Sequence, residues 1–457
     1  MDAPTRDLSY NERSLLLARA RLTAKVRLPK ILWSTTMFAQ GVDLRAASSL
    51  DSHDRPLPAL AERVRDVADS TTLVMSARAK AMKAAGVDVI NLTAGEPDFP
   101  TPRPIVDAAL AFLEAGQVKY TPTLGLPELR AAAARRYAET YGVALAADNA
   151  IFGCGGKHVL YTAFQALCGD GDEVLIPSPY WVSYPEMARL SSARPVIVPT
   201  AQSGYVLDPD ALRAAITPRS RVLVLNSPSN PTGLRLPLAT LTELMRIAIE
   251  HNLWVFSDEI YDQLCYDAEP YVSPIALGKG AVERTVVVNS LSKTYSMTGW
   301  RIGYAIGPAA VIEAMGRVQA HETSNPCTIS QVAALEALTG DQTTTAAMRE
   351  RFDARRRLML DWVRRLPGWI CPEPQGAFYV FPRVDSIYGR RSPGGRWLQG
   401  SLDVALALME EAHVATVPGV AFGEDACLRL SYATSRALID EGMRRVAAWL
   451  EQLQPSS

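Results

Sequence analysis

VVVNSLSKTYSMTGWRIGY, residues 286–304, decides how this chain is read. Val286 to Val288 form an apolar, β-branched run, the pattern of a strand buried on both faces. The run breaks at Asn289, Ser290, Leu291, Ser292 and Lys293, and Arg301 follows. Serine hydroxyls and an arginine fork are phosphate ligands. A lysine just past a buried strand has two readings. One is a solvated loop charge; the other is an amine whose pKa falls through burial or a nearby cation, freeing it to form imines. An imine-forming lysine beside a phosphate cradle points to pyridoxal phosphate, whose aldehyde takes the lysine.

Working outward, residues 149–310 alternate strand and helix, which predicts a largely parallel sheet covered on both faces. Strands are expected at 172–177, 195–199, 221–226, 253–258, 284–289 and 301–306, with helices at 156–168, 209–216, 237–251 and 308–320. In such sheets functional groups gather at the carboxyl ends of strands. Asn226 to Gly233, Asp258 to Tyr261 and Ser290 to Lys293 fall there. Before this region, helical spacing is expected at 60–67, 71–85, 104–115 and 127–141, with a short strand at 87–91. After it, helices are expected at 328–338, 343–366, 402–411 and 434–453, and strands at 376–381, 414–417 and 427–431.

The flanking motifs carry compatible chemistry. Gly153, Gly155 and Gly156 precede a helix whose N-terminus offers backbone N–H groups to phosphate; a plain tight turn is the alternative. Trp181 is a core aromatic or a stacking face for a planar ring. Asp258 is an N-cap or the partner of a protonated pyridine nitrogen, and Asn230 and Tyr261 can hydrogen-bond a phenolic oxygen. Arg429, in LRLSYAT, is an ion-pair residue or a bidentate grip on a substrate carboxylate.

Composition narrows the class. The chain of 457 residues carries a net charge of −1, which leaves no electrostatic footprint for nucleic acid or an anionic membrane. Its six cysteines are scattered, without metal-ligand spacing, as expected of reduced thiols in a cytoplasmic protein. No apolar run reaches the roughly 18 residues of a membrane span. Residues 1–57 differ from the rest. From Arg13 to Gly41 they hold six basic residues and no acidic one, and they read as an extension, flexible or loosely docked.

From about Ala59 to Gln454 the chain resembles the class I pyridoxal-phosphate aminotransferases, closest to the bacterial-type aspartate and prephenate subgroup. TAGEPDF, KYTPTLGLPELR, GGK, SPYWVSYPEM, NSPSNPTG, SDEIY, SLSK, MTGWRIGY, GAFYVFP, VPGVAFG and LRLSYATS carry the resemblance in order. It implies the α/β fold of the fold-type I pyridoxal-phosphate transferases, with a mostly parallel seven-stranded sheet in a large domain at 106–345. The smaller α/β domain would come from 58–105 and 346–457. It implies a transaminase working with small amino and 2-oxo acids as a homodimer with shared active sites. By resemblance, Lys293 is the catalytic lysine that bonds the cofactor and moves the substrate proton. Asp258 pairs with the ring nitrogen, Asn230 and Tyr261 meet the phenolic oxygen, and Trp181 stacks. Gly155, Gly156, Ser290, Ser292 and Arg301 hold the phosphate, with Tyr120 reaching across from the neighbouring subunit. Gly95, Trp181, Asn230 and Arg429 bind the substrate α-carboxylate.

Substrate choice rests on fewer residues. The region 320–327, AHETSNPC, lacks the arginine with which another subgroup reads a distal carboxylate. Lys157 and Thr72 match the positions that do this in the bacterial subgroup, so aspartate and glutamate are the expected donors, with prephenate a further acceptor. The alternatives are a transaminase for aromatic or aliphatic amino acids, a carbon–sulfur β-lyase, and a transcriptional regulator that binds the cofactor as a sensor. For the last, residues 1–57 show no clear helix-turn-helix pattern.

Overall fold

The computed structural model describes residues 58–65, 67–267 and 269–455, so the extension predicted at 1–57 lies outside the described residues. Leu60–Ser457 is one compact unit by its internal contacts. Its strands are β1 (Ile90–Asn91), β2 (Ala150–Gly153), β3 (Glu173–Ser178), β4 (Arg194–Pro199), β5 (Ser220–Asn226), β6 (Trp254–Asp258), β7 (Thr285–Ser290), β8 (Gly303–Ile306), β9 (Tyr379–Val380), β10 (Val414–Ala415), β11 (Val417–Pro418) and β12 (Leu428–Ser431).

Seven of these form one sheet in the order β2-β8-β7-β6-β5-β3-β4. β4, β3, β5, β6 and β7 pair in parallel, while β8 runs antiparallel to both β7 and β2. The mostly parallel sheet expected of this chain is therefore present. Alternation along the strands explains why both faces are covered. Val222, Val224, Phe256, Val286 and Val288 join one apolar cluster, with Val159 and Phe164 of the helix Gly156–Leu167. Leu223, Leu225 and Val255 turn to the other face, where Leu244 and Ile247 of the helix Leu238–Glu250 cover them.

A second core gathers residues from both ends of the chain. Met75 and Ala79 of the helix Thr71–Ala84 share this core with Phe352 and Met359 of the helix Thr343–Val363, and Val446 of the helix Arg436–Glu451. β1 pairs with β10, and β11, β12 and β9 form a separate three-stranded sheet.

Several local expectations need correction. The run at 414–417 is two strands in different sheets, β10 with β1 and β11 with β12. The strand at 376–381 shortens to β9, and that at 87–91 to β1. β8 starts at Gly303, not 301, because Arg301 has φ +51°, a left-handed conformation that ends strand pairing. Among the described residues, the helical spacing at 60–67 yields Glu62–Arg65. β2 and the helix Ser183–Leu190 are elements that sequence periodicity left out; both are too short to show a clear period.

Candidate active site

Parallel pairing places three strand ends side by side. Asn226 ends β5 and pairs with Asp258 at the end of β6, and Asp258 pairs with Val288, two residues before the end of β7. There the chain turns into Leu291–Thr294, which carries Lys293. A cavity of about 570 Å³ opens over these ends. Of the residues singled out from sequence, Thr72, Gly95, Gly156, Lys157, Trp181, Asn230, Asp258, Tyr261, Ser290, Ser292, Lys293, Arg301 and Arg429 line it. Gly155 and Tyr120 do not: Gly155 lies just behind the lining, at the N-cap of the helix Gly156–Leu167, and Tyr120 is 91% exposed on the surface of the chain.

Asp258 is buried and accepts two hydrogen bonds. Tyr184 donates its hydroxyl to Oδ2 at 2.6 Å, and the Ile260 N–H reaches Oδ1 at 3.3 Å. Burial pushes its pKa up to about 6, against the opposing pull of these two donors and of Lys293. Asn226 braces the strand ends, donating to the Asp258 carbonyl at 3.0 Å and accepting the Asn230 N–H at 2.8 Å.

Lys293 Nζ donates to the carbonyl of Gly95. Burial lowers its pKa to about 8, with Arg429 and Arg301 adding to the effect and Glu96 and Asp258 opposing it. The free amine is thus accessible near neutral pH, which an ordinary solvated lysine would not provide.

The side of the cavity at the start of the helix Gly156–Leu167 is built from backbone and small side chains. Gly155 has φ +93° and ψ 161°, a region that only glycine occupies readily. A Cβ there would lie 2.7 Å from Arg301 Nη2. The missing side chain is what lets the guanidinium approach the start of the helix Gly156–Leu167. Arg301 is tethered through Nη1 to the Thr298 carbonyl at 2.8 Å. Ser290 Oγ accepts the Ser292 N–H at 3.1 Å and lies 2.8 Å from Ser292 Oγ, so both hydroxyls stand at one corner.

At the opposite end Arg429 is buried. It donates through Nη1 to Asn230 Oδ1 at 3.0 Å and through Nη2 to the Thr93 carbonyl at 2.9 Å. Among the described residues its Nε has no hydrogen-bond partner. Its guanidinium lies over the Tyr379 ring at 4.4 Å, and Tyr379 OH is 2.9 Å from Tyr261 OH. Across the cavity, Lys157 Nζ sits 4.9 Å from the centre of the Trp181 ring. Burial and Arg301 both lower its pKa. Thr72 pairs with Ser70, their hydroxyls 3.0 Å apart.

Sequence reading missed Tyr184 and Tyr379. Tyr184, at the second position of the helix Ser183–Leu190, stands three residues after Trp181, and its ring meets Trp181 edge-on at 5.3 Å. Tyr379 carries no local signal, since its partners are distant in the chain.

The family model described as aminotransferase class I and II matches residues 87–446. An aspartate/prephenate aminotransferase of Cereibacter sphaeroides is 43% identical over 392 residues, spanning 85% of this chain and 98% of that protein. An aspartate aminotransferase of Bacillus sp. YM-2 is 43% identical over 389 residues, spanning 85% of this chain and 98% of that protein. Among solved structures, the aspartate aminotransferase of Rhizobium meliloti matches with a TM-score of 0.84 at 40% identity, covering 87% of this chain and 100% of that one. The Thermus thermophilus aspartate aminotransferase with maleate matches with a TM-score of 0.81 at 41% identity, covering 86% and 100%.

Proposed function

The chain belongs to the class I and II aminotransferases, and on that premise we propose that it moves an amino group between L-aspartate or L-glutamate and a 2-oxo acid, with pyridoxal 5′-phosphate in the cavity above β5, β6 and β7. The observation that carries this reading is the shared cavity of Lys293, Asp258 and Arg429 with Lys157.

The residues present fit the cofactor. The side-chain-free approach of Gly155 to Arg301 leaves a cradle for a phosphate, with Gly156, Ser290 and Ser292 beside it. Asp258, buried at a strand end, suits a ring N–H donor. Trp181 offers a face for the ring, and Asn230 and Tyr261 offer polar groups for its phenolic oxygen. When bound, the cofactor supplies the electron sink that lets the substrate Cα–H bond break. Lys293 Nζ, freed by its lowered pKa, is the base that takes this proton and returns it. Arg429, whose Nε lacks a partner, grips the α-carboxylate together with Gly95, Trp181 and Asn230. Lys157 and Thr72 read the distal carboxylate. The solved relative with maleate, a dicarboxylate, supports that part of the reading. The aspartate/prephenate aminotransferase among the relatives supports prephenate as a further acceptor.

We further propose a cytoplasmic homodimer, in which Tyr120 serves the phosphate of the neighbouring subunit. Its 91% exposure, beside the exposed Leu110, Leu113 and Val118, and the six free cysteines support this.

The test mixes cofactor-loaded enzyme with single amino acids and no acceptor, following cofactor absorbance by stopped flow. Aspartate and glutamate are expected to convert it fast; alanine, leucine and phenylalanine slowly. Fast conversion by uncharged donors with little by aspartate would overturn the substrate class and leave the role of Lys293 standing.

A further inference from the structure

Five basic residues line the cavity, Lys80, Lys157, Lys293, Arg301 and Arg429, against two acidic ones, Glu96 and Asp258. Both acids already have partners, Glu96 accepting from Thr298 at 2.9 Å and Asp258 from Tyr184. Four of the cations are accounted for by the reaction. Lys80 is not, and among the described residues its side chain makes no hydrogen bond or ion pair. Arg78, two residues earlier on the same helix, is by contrast paired with Glu410.

The placement of Lys80 follows from the helix Thr71–Ala84. Met75 and Ala79 are buried in the second core and fix the rotation of the helix. Thr72, Ser76 and Lys80, four residues apart, therefore form one polar row along the cavity wall. At about 1.5 Å per residue, Lys80 stands roughly 12 Å along the axis from Thr72. Leu73, 67% exposed, and Val182 line the same cavity and offer apolar surface to a hydrocarbon spacer.

We propose that Lys80 is a second anion-reading residue of this site, which extends its substrates to amino and 2-oxo acids whose distal carboxylate sits on a longer spacer than that of aspartate or glutamate. The proposal rests on the aminotransferase reading above. Lys157 serves the short dicarboxylates. Lys80 meets the far carboxylate of the long ones, with the spacer against Leu73 and Val182.

The test compares wild type, K80A and K80R on aspartate, glutamate, 2-aminoadipate and 2-aminopimelate. In parallel, dissociation constants of succinate, glutarate, adipate and pimelate are measured by cofactor absorbance. In K80A the ratio of kcat/KM for 2-aminoadipate to that for aspartate is expected to fall about fivefold, the worth of one exposed ion pair. Adipate and pimelate should weaken relative to succinate by a similar factor, K80R should keep the wild-type ratios, and about 1 M salt should erase the difference. Unchanged ratios, or an equal loss for short and long ligands, would overturn the proposal. Wild-type enzyme inert to both aspartate and glutamate would instead sink the reading beneath it, while the dicarboxylate constants would still judge Lys80.

Discussion

Gly155→Ala tests the phosphate cradle most directly. The backbone at φ +93° and ψ 161° resists any side chain, at a cost of about 1–3 kcal/mol. The new Cβ would also lie 2.7 Å from Arg301 Nη2, so the guanidinium must move. Its tether, the 2.8 Å bond from Nη1 to the Thr298 carbonyl, limits how it can move without losing its aim. Losing one hydrogen bond to a charged group costs about 1.5–3 kcal/mol, which is about a 10- to 150-fold rise in Kd. The assay titrates apoenzyme with pyridoxal phosphate by absorbance, and with pyridoxal, which lacks the phosphate. The variant should lose affinity for the first by that factor and for the second by less than about threefold. Thermal unfolding of the apoenzyme reports the backbone cost separately. Equal losses for both ligands, or none for either, would refute a phosphate seat at Gly155.

Three further outcomes follow from the site. Tyr184→Phe removes the 2.6 Å bond to buried Asp258 and should raise its pKa further above about 6; the acid limb of kcat/KM then moves up by about one pH unit or more. An unmoved limb would show that Tyr184 does not tune Asp258. Lys293, with its pKa lowered to about 8, is deprotonated in the folded chain above that pH, so capture of pyridoxal phosphate by apoenzyme should rise about tenfold from pH 7 to 9 and then level off. A rate still climbing steeply past pH 10 would contradict this. Glu259, fully buried among the hydroxyls of Ser257, Ser273 and Tyr137, has its pKa raised by burial to about 8. Its folded state binds the extra proton, so its contribution to stability is fully present below the usual carboxyl range and is lost as pH rises from about 4.5 to 8, with Asp258 acting in the same direction. Glu259→Gln should flatten that slope in urea unfolding at pH 5.5 and 8, and an unchanged slope would refute the assignment.

Much of this protein is written in local pattern. β-branched runs such as Val286–Val288, alternating with helical segments, specify strands buried on both faces and hence a parallel sheet. A parallel sheet then puts Asn226, Asp258 and Ser290 at neighbouring ends, because parallel strands share one direction. Chemistry-bearing residues at strand ends are therefore legible in the sequence itself.

What the tertiary structure alone decided are the pairs with no period in common. Tyr184 reaches Asp258 from 74 residues away, Tyr261 meets Tyr379 from 118, and Arg429 holds the Thr93 carbonyl from 336. The antiparallel course of β8 and the division of 414–418 between two sheets depend equally on which strand edge is open. Local spacing records how a segment buries its own side chains. It holds no record of which distant segment shares that burial, and the pKa of Asp258 and Lys293 and the free Nε of Arg429 come from that sharing.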